Sequence, residues 1–239
     1  MVRLLRTMCG RYSIAAEPEQ LEERFGATFD ESSASLARRY NAAPSQGLPV
    51  ILNAEPERIR LVSWGINPFW LKRSRGDGLI NARVETLQAK FREDLAERRC
   101  LVLADGFYEW AKTPEGKAPY RFVRRDRAPF AFAGIWEERK DAVGSLPSFA
   151  ILTTAADAVV SPIHNRMPVI LPREVEREWI SASRSPDQVL SMVKGERGVA
   201  LEAYPVSTLV NKATVDAPEL IERVEVKKSG QRGLFDSER

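Results

Sequence analysis

The sequence predicts a single α+β domain whose sheet is largely antiparallel and barrel-like. Three observations lead there. Many short runs of β-branched and aromatic residues alternate with Gly, Pro, Asp and Asn, the pattern of a meandering sheet. Only four stretches suggest a helix. The 239 residues, 44% of them hydrophobic, can bury one core without disulfides. No Gly/Ser linker or fixed-period repeat divides them.

The elements follow in order. Residues 18–25 (PEQLEERF) place Leu21 and Phe25 four apart, on one helical face. Strands are expected at 48–52, 59–66, 100–110, 119–124, 130–136, 149–154, 167–171 and 201–206. Helices are expected at 83–91, 174–180 and 187–193, with Pro172 and Pro186 where proline is tolerated near a helix start. The run after Val226 (KKSGQRGLFDSER) is polar and is expected to be flexible.

Composition removes several function classes. Lys and Arg total 36 against 33 Asp and Glu, a net charge of +3, so any nucleic-acid surface has to be local. Basic clusters occur at Arg38–Arg39, Lys72–Arg73–Arg75, Arg98–Arg99 and Arg121–Arg127, and each alone reads as a solvated face. No apolar run reaches the roughly 18–20 residues of a membrane span. The start, MVRLLRT, lacks the apolar centre of a secretory signal. Two cysteines and one histidine make neither a disulfide framework nor a structural zinc site, so no metal is expected and a reducing cytoplasm is.

Four motifs carry chemistry. In Met8-Cys9-Gly10-Arg11-Tyr12, loss of everything up to Met8 would leave Cys9 as the N-terminus. An α-amine titrates near 7.7–8.0, far below a lysine at about 10.4, so much of it is neutral and nucleophilic. Such an amine attacks an aldehyde to give an imine, and the thiol two carbons away can close a five-membered ring. A buried structural cysteine is an equal rival at this level. His164, the one histidine, lies in a turn-like run with Asn165 and Arg166 and can move protons near neutral pH. Glu109 sits between Tyr108 and Trp110, a setting that desolvates a carboxylate and raises its pKa, or else a strand edge facing water. Asn81 and Arg83 lie two apart on one side of an extended segment, an amide and a cationic fork suited to a sugar–phosphate backbone. Upstream, Phe69 and Trp70 stand beside Lys72, Arg73 and Arg75, offering stacking faces with charge, as a single-strand binder needs.

These motifs, in this order, resemble the SOS response-associated peptidase (SRAP) family of abasic-site-shielding proteins. The resemblance also runs through Tyr40-Asn41-Ala42-Ala43-Pro44, Thr153-Thr154, His164–Val169, Pro205-Val206-Ser207 and Pro218–Ile221, and so covers Cys9 to about Val224. It implies a strongly curved, barrel-like β core with peripheral helices and a DNA cleft. It implies covalent capture of an abasic site in single-stranded DNA, with no cofactor: the Cys9 amine forms an imine and the thiol closes a thiazolidine. Asn81 would hold the site in register. Glu109 would shuttle protons, and His164 would assist ring-opening, lyase-type strand cleavage or reversal. Arg11, Asn41, Phe69, Trp70, Arg83, Thr154 and Arg166 would bind DNA. Residues 1–8 are then a leader that is absent or removed, with the protein's own peptidase activity as one route; 9–226 form the domain and 227–239 a tail. The place of work would be the cytoplasm, on the nucleoid when bound to DNA.

Within the tail, Gln231, Leu234 and Phe235 resemble the Gln-x-x-Leu-Phe peptide that docks on the bacterial sliding clamp. Three rivals use the same residues differently. A thiol peptidase would take Cys9 as nucleophile and His164 as base. An N-terminal-nucleophile glutaminase would also begin at Cys9. A plain single-strand binder would show salt-sensitive binding and no covalent product.

Overall fold

The computed structural model describes residues 9–30, 33, 38–68, 78–141, 144–194 and 198–225. Within them the chain begins β1 (Tyr12–Ile14), α1 (Pro18–Phe25), β2 (Thr28–Phe29), β3 (Arg39–Ala42), β4 (Gly47–Leu52) and β5 (Arg58–Trp64). It continues β6 (Asn81–Arg83), a 3-10 turn (Val84–Thr86), α2 (Leu87–Lys90), α3 (Arg92–Glu97), β7 (Arg99–Ala104), β8 (Gly106–Thr113) and β9 (Gly116–Arg124). Then come β10 (Phe130–Asp141), β11 (Gly144–Ala155), β12 (Arg166–Pro168), α4 (Arg173–Trp179), α5 (Pro186–Met192) and β13 (Leu201–Pro205). Two 3-10 turns, Thr208–Asn211 and Pro218–Ile221, close the described chain.

Five strands make a closed ring. β4 pairs antiparallel with β5 and β7, β7 with β10, and β10 with β11. A short parallel pairing of β11 with β5, Ser148 to Ser63 and Phe149 to Trp64, completes it. Closure removes the unpaired edges that an open sheet leaves. β11 runs beyond the ring, taking β6 on one side at Ile151–Thr153 and β12 on the other at Thr153–Ala155. A second sheet, in the order β13-β9-β8-β1-β3, lies against the ring. Phe107 and Tyr12 on its inner face meet Phe132 edge-on, and Tyr12 also meets Trp64 edge-on at 5.2 Å, so one aromatic cluster joins the two sheets. Tyr108, Val123 and Tyr204 on the outer face form a smaller core with Val210 and Leu220 of the 3-10 turns.

The sequence pattern of residues 100–110 reads as one strand, and the structure breaks it at Asp105. That residue carries the chain from the ring to the second sheet. Its carboxylate accepts from Ser13 Oγ (2.7 Å), the backbone N–H of Ala15 and Ala16, and Arg121 Nη2 (2.8 Å). A carboxylate with this many donors costs little to bury. Gly106 follows because a Cβ there would stand 2.7 Å from Arg121 Nε. Two expected surface arginines are therefore interior struts: Arg121 against Asp105, and Arg99, fully buried, which donates to the carbonyls of Leu95, Ala96, Trp179 and Ser181.

The helix expected over 83–91 splits. Arg83 ends β6, a 3-10 turn follows, and Phe91 separates α2 from α3. The strand expected over 167–171 starts at Arg166, ends at Pro168, and leaves only a bridge from Ile170 to Phe132. Helix α1 stands as read, burying Leu21 and Phe25 and ending on Gly26 with φ +60°. Helices α4 and α5 stand one residue earlier than read. No helix among the described residues is long and apolar enough to cross a membrane.

Candidate functional site

Cys9 precedes β1 and meets Glu109 of β8 and Asn81 of β6. It is buried, with φ +40°, a left-handed conformation uncommon for a residue bearing a side chain. Its backbone nitrogen donates to Glu109 Oε1 at 2.9 Å, and its thiol lies within electrostatic range of that carboxylate. Asn81 Nδ2 reaches the Cys9 carbonyl at 3.5 Å, the limit of a hydrogen bond. Strand alternation explains the meeting: Phe107 and Glu109 share the inner face of β8, while Tyr108 and Trp110 face outward.

The electrostatics follow from burial. The Cys9 thiol is pushed well above its ordinary range, first by burial and then by the Glu109 carboxylate, with Arg166 pulling the other way. Glu109 is also raised by burial, against the pull of His164, its hydrogen bonds from Cys9, and Lys117. The centre thus keeps a neutral thiol beside a carboxyl whose proton affinity is above normal.

His164 Nδ1 lies 3.1 Å from both the backbone N–H and the carbonyl oxygen of Arg166. The Arg166 guanidinium makes a bidentate pair with Glu85, the longer contact at 3.0 Å, and donates to the Thr153 carbonyl at 2.6 Å. Its Nε–H is buried without a hydrogen-bond partner.

The structure separates the expected DNA-binding residues. Arg83 is exposed, and its guanidinium forms no hydrogen bond or salt bridge among the described residues, whereas Ala82 beside it is buried. Arg11 is half-buried and donates to Asn41 Oδ1 and the Val210 carbonyl, both at 2.8 Å. Asn41 is wholly buried, and its amide is taken up by the carbonyls of Val210, Lys212 and Val215. Any part it plays in binding runs through Arg11. Thr154 faces away from Arg166. The threonine that meets Arg166 is Thr153, since a step of one residue along a strand changes the face. Phe69, Trp70, residues 1–8, Gln231, Leu234 and Phe235 lie outside the described residues. Among the described residues no group of three His, Cys, Asp or Glu is placed to hold a metal ion.

Sequence reasoning missed Thr153, Glu85 and Asp105 as organising residues. Alternation along β11 was the available signal for Thr153. Nothing local marks Glu85 or Asp105, whose partners are 81 and up to 92 positions away.

Comparison with known proteins places this geometry. The chain is 38% identical over 222 residues to the abasic site processing protein YoqW of Bacillus subtilis, covering 90% of this chain and 99% of the relative. It is 29% identical over 229 residues to the abasic site processing protein YedK of Escherichia coli, covering 91% and 100%. A crystal structure of a protein from Bacteroides thetaiotaomicron superposes with a TM-score of 0.79 at 25% identity, covering 91% of this chain and all of that one. The model of the family described as SOS response associated peptidase matches residues 8–213, and the chain belongs to that SRAP family.

Proposed function

We propose that this protein captures abasic sites in single-stranded DNA through a thiazolidine formed by Cys9. The observation that carries the reading is the Cys9 backbone nitrogen held 2.9 Å from Glu109. The thiol of the same residue feels that carboxylate electrostatically, so one proton acceptor stands near both atoms that must react with the aldehyde carbon. The names of the relatives as abasic site processing proteins support the substrate.

The neutral amine adds to the open-chain deoxyribose aldehyde, and the carbinolamine loses water to give an imine. The thiol then adds across the C=N bond; its sulfur bonds to carbon and the nitrogen ends with the proton. The net change is protein plus DNA minus one water. Glu109 takes and returns protons at nitrogen and sulfur, which suits a carboxyl whose pKa is raised. His164 serves the sugar side, opening the ring or assisting reversal. Asn81 fixes the Cys9 carbonyl. Arg83 grips a flanking phosphate, and the buried Nε–H of Arg166 is a donor for a substrate oxygen.

The amine exists only once residues 1–8 are gone, by a start at Met8 with loss of that Met or by trimming. The positive φ of Cys9 fits this, because cutting before Cys9 removes the constraint on that dihedral. The thiol peptidase and the glutaminase need sulfur as the first nucleophile, on an unactivated carbonyl, whereas ring closure has the thiol add within the molecule to an electrophilic imine. A thiol raised by burial and by an adjacent carboxylate is poorly prepared for the former, since such enzymes lower the pKa of their cysteine.

The test is intact-protein mass before and after mixing with a single strand carrying one abasic site. The expected result is a protein beginning at Cys9 that gains the DNA mass minus water. A protein beginning at Cys9 that gains nothing sinks the proposal.

A further inference from the structure

Glu85 lies two residues after Arg83, yet the chemistry above gives it no task. Its position suggests one. β6 and β12 flank opposite sides of β11, and Thr153 lies between them, paired to Arg83 on one side and Pro168 on the other. The Arg166 side chain crosses β11 over Thr153 and ends on the Glu85 carboxylate. The Arg166 side chain is 12% exposed, and the Glu85 side chain that meets it is 55% exposed. A carboxylate fork sets the guanidinium's plane as well as its distance.

The backbone of the same residue cradles the only histidine. Nδ1 of His164 has the Arg166 N–H and the Arg166 carbonyl oxygen each at 3.1 Å. An unprotonated Nδ1 accepts from the N–H. A protonated Nδ1 donates to the carbonyl. The ring can therefore gain or lose a proton without turning, provided Arg166 stays where it is. β12 is only three residues long, so few ladder bonds hold it. The side-chain tether across β11 supplies an independent anchor.

We propose that Glu85 is a positioning residue: it pins Arg166 and, through the Arg166 backbone, holds the His164 ring ready to change protonation in place. The proposal rests on the abasic-site reading for its rate consequence but not for its structural one. Glu85 is held below the ordinary carboxylate range by its hydrogen bonds from Arg166, so it is charged at neutral pH.

Because the chain has one histidine, ¹⁵N-histidine labelling gives one Nδ1 and one Nε2 resonance. The experiment compares wild type, E85Q and E85D by these resonances. It also measures single-turnover crosslinking at saturating abasic single strand, and the Kd for a strand carrying a tetrahydrofuran analogue. In wild type, free of DNA, the two resonances are expected well apart, as for a single ring form held against the Arg166 backbone. In E85Q the two resonances should move toward each other as the tautomers mix. The saturated rate should fall on the order of tenfold while Kd moves less than about twofold. E85D, which keeps the charge, should recover part of both, and it carries the test if E85Q does not fold. Wild-type resonances retained in E85Q, or a loss confined to Kd, would overturn the proposal. If wild type itself fails to crosslink, the function reading falls, and the histidine resonances alone still decide the role of Glu85.

Discussion

The two cysteines occupy neighbouring regions of one molecule and differ in what surrounds their backbone nitrogen. Cys100 sits inside β7, where its strand pairs with β10 and β4 and its thiol packs against Gly134. Cys9 sits at the rim, outside any ladder, with its nitrogen on Glu109. Both are buried, and both thiols are raised by burial. Tyr12 connects the regions: it lies three residues after Cys9, and its buried hydroxyl is within electrostatic range of Cys100. Thiol acidity therefore does not distinguish the reactive candidate. What distinguishes it is a nitrogen released from the sheet and handed to a carboxylate.

The largest expected effect tests that directly. Cys9→Ser keeps the nitrogen and should lose the stable adduct, because an alcohol closes a far weaker ring than a thiol. Cys100→Ala should crosslink like wild type and lose about 1 kcal/mol of stability, readable as a lower thermal midpoint. A stable Cys9→Ser adduct at wild-type yield would falsify the ring-closing step.

Next is the carboxylate. Glu109→Gln keeps an oxygen for the Cys9 N–H but cannot take a proton, and the crosslinking rate should fall by about 100-fold or more. Stability should move the other way. A carboxyl raised on folding binds more proton in the native than in the unfolded state, so wild-type stability falls as pH rises from the ordinary carboxylate range through the raised value. The variant lacks that loss. Its midpoint relative to wild type should climb as pH rises above the ordinary carboxylate range, as scanning calorimetry at several pH values can show. A gap that stays flat with pH would mean Glu109 is not raised in the folded protein.

Much of this contrast was legible in the sequence, though unevenly. The ring strands announced themselves, because residues buried on both faces leave long apolar runs such as Val50–Leu52 and Leu101–Ala104. β1, β2 and β3 did not, because two to four residues carry too little pattern and are held by partners distant in sequence. The candidates Cys9, Asn81 and Glu109 came from motifs, and the structure brings them together. Arg99 and Arg121 were misread as solvated, since only tertiary partners reveal a buried charge. The Thr153-Thr154 pair alone does not say which threonine faces Arg166; only the phase of β11 does.

A smaller effect separates exposed from tethered arginines. Arg83→Ala should weaken single-strand binding, and the slope of log K against log salt should fall by about 0.7, the share of one phosphate contact. Filter binding at several salt concentrations measures it. An unchanged slope would mean that Arg83, though exposed, meets no phosphate.

The smallest effect on chemistry lies on the Cys100 side of the comparison. Gly134 faces Cys100 across β7 and β10, and a Cβ there would stand 2.7 Å from Sγ and 3.0 Å from Val102 Cγ2. A short thiol in a packed ring has little room to yield, so Gly134→Ala should cost about 1–3 kcal/mol. Adding Cys100→Ala removes the sulfur that the new methyl strikes. The double variant should therefore be more stable than the sum of the singles predicts, by about 0.5 kcal/mol or more, with the remaining cost set by Val102 and the Ala150 carbonyl at 3.2 Å. Crosslinking per folded molecule should not change in any of the three, because none touches the nitrogen of Cys9 or its carboxylate. A rate that tracked the stability loss would instead mean that the ring transmits its packing to the rim, and Tyr12, whose ring meets Trp64 and Phe132, would be the residue through which it does so.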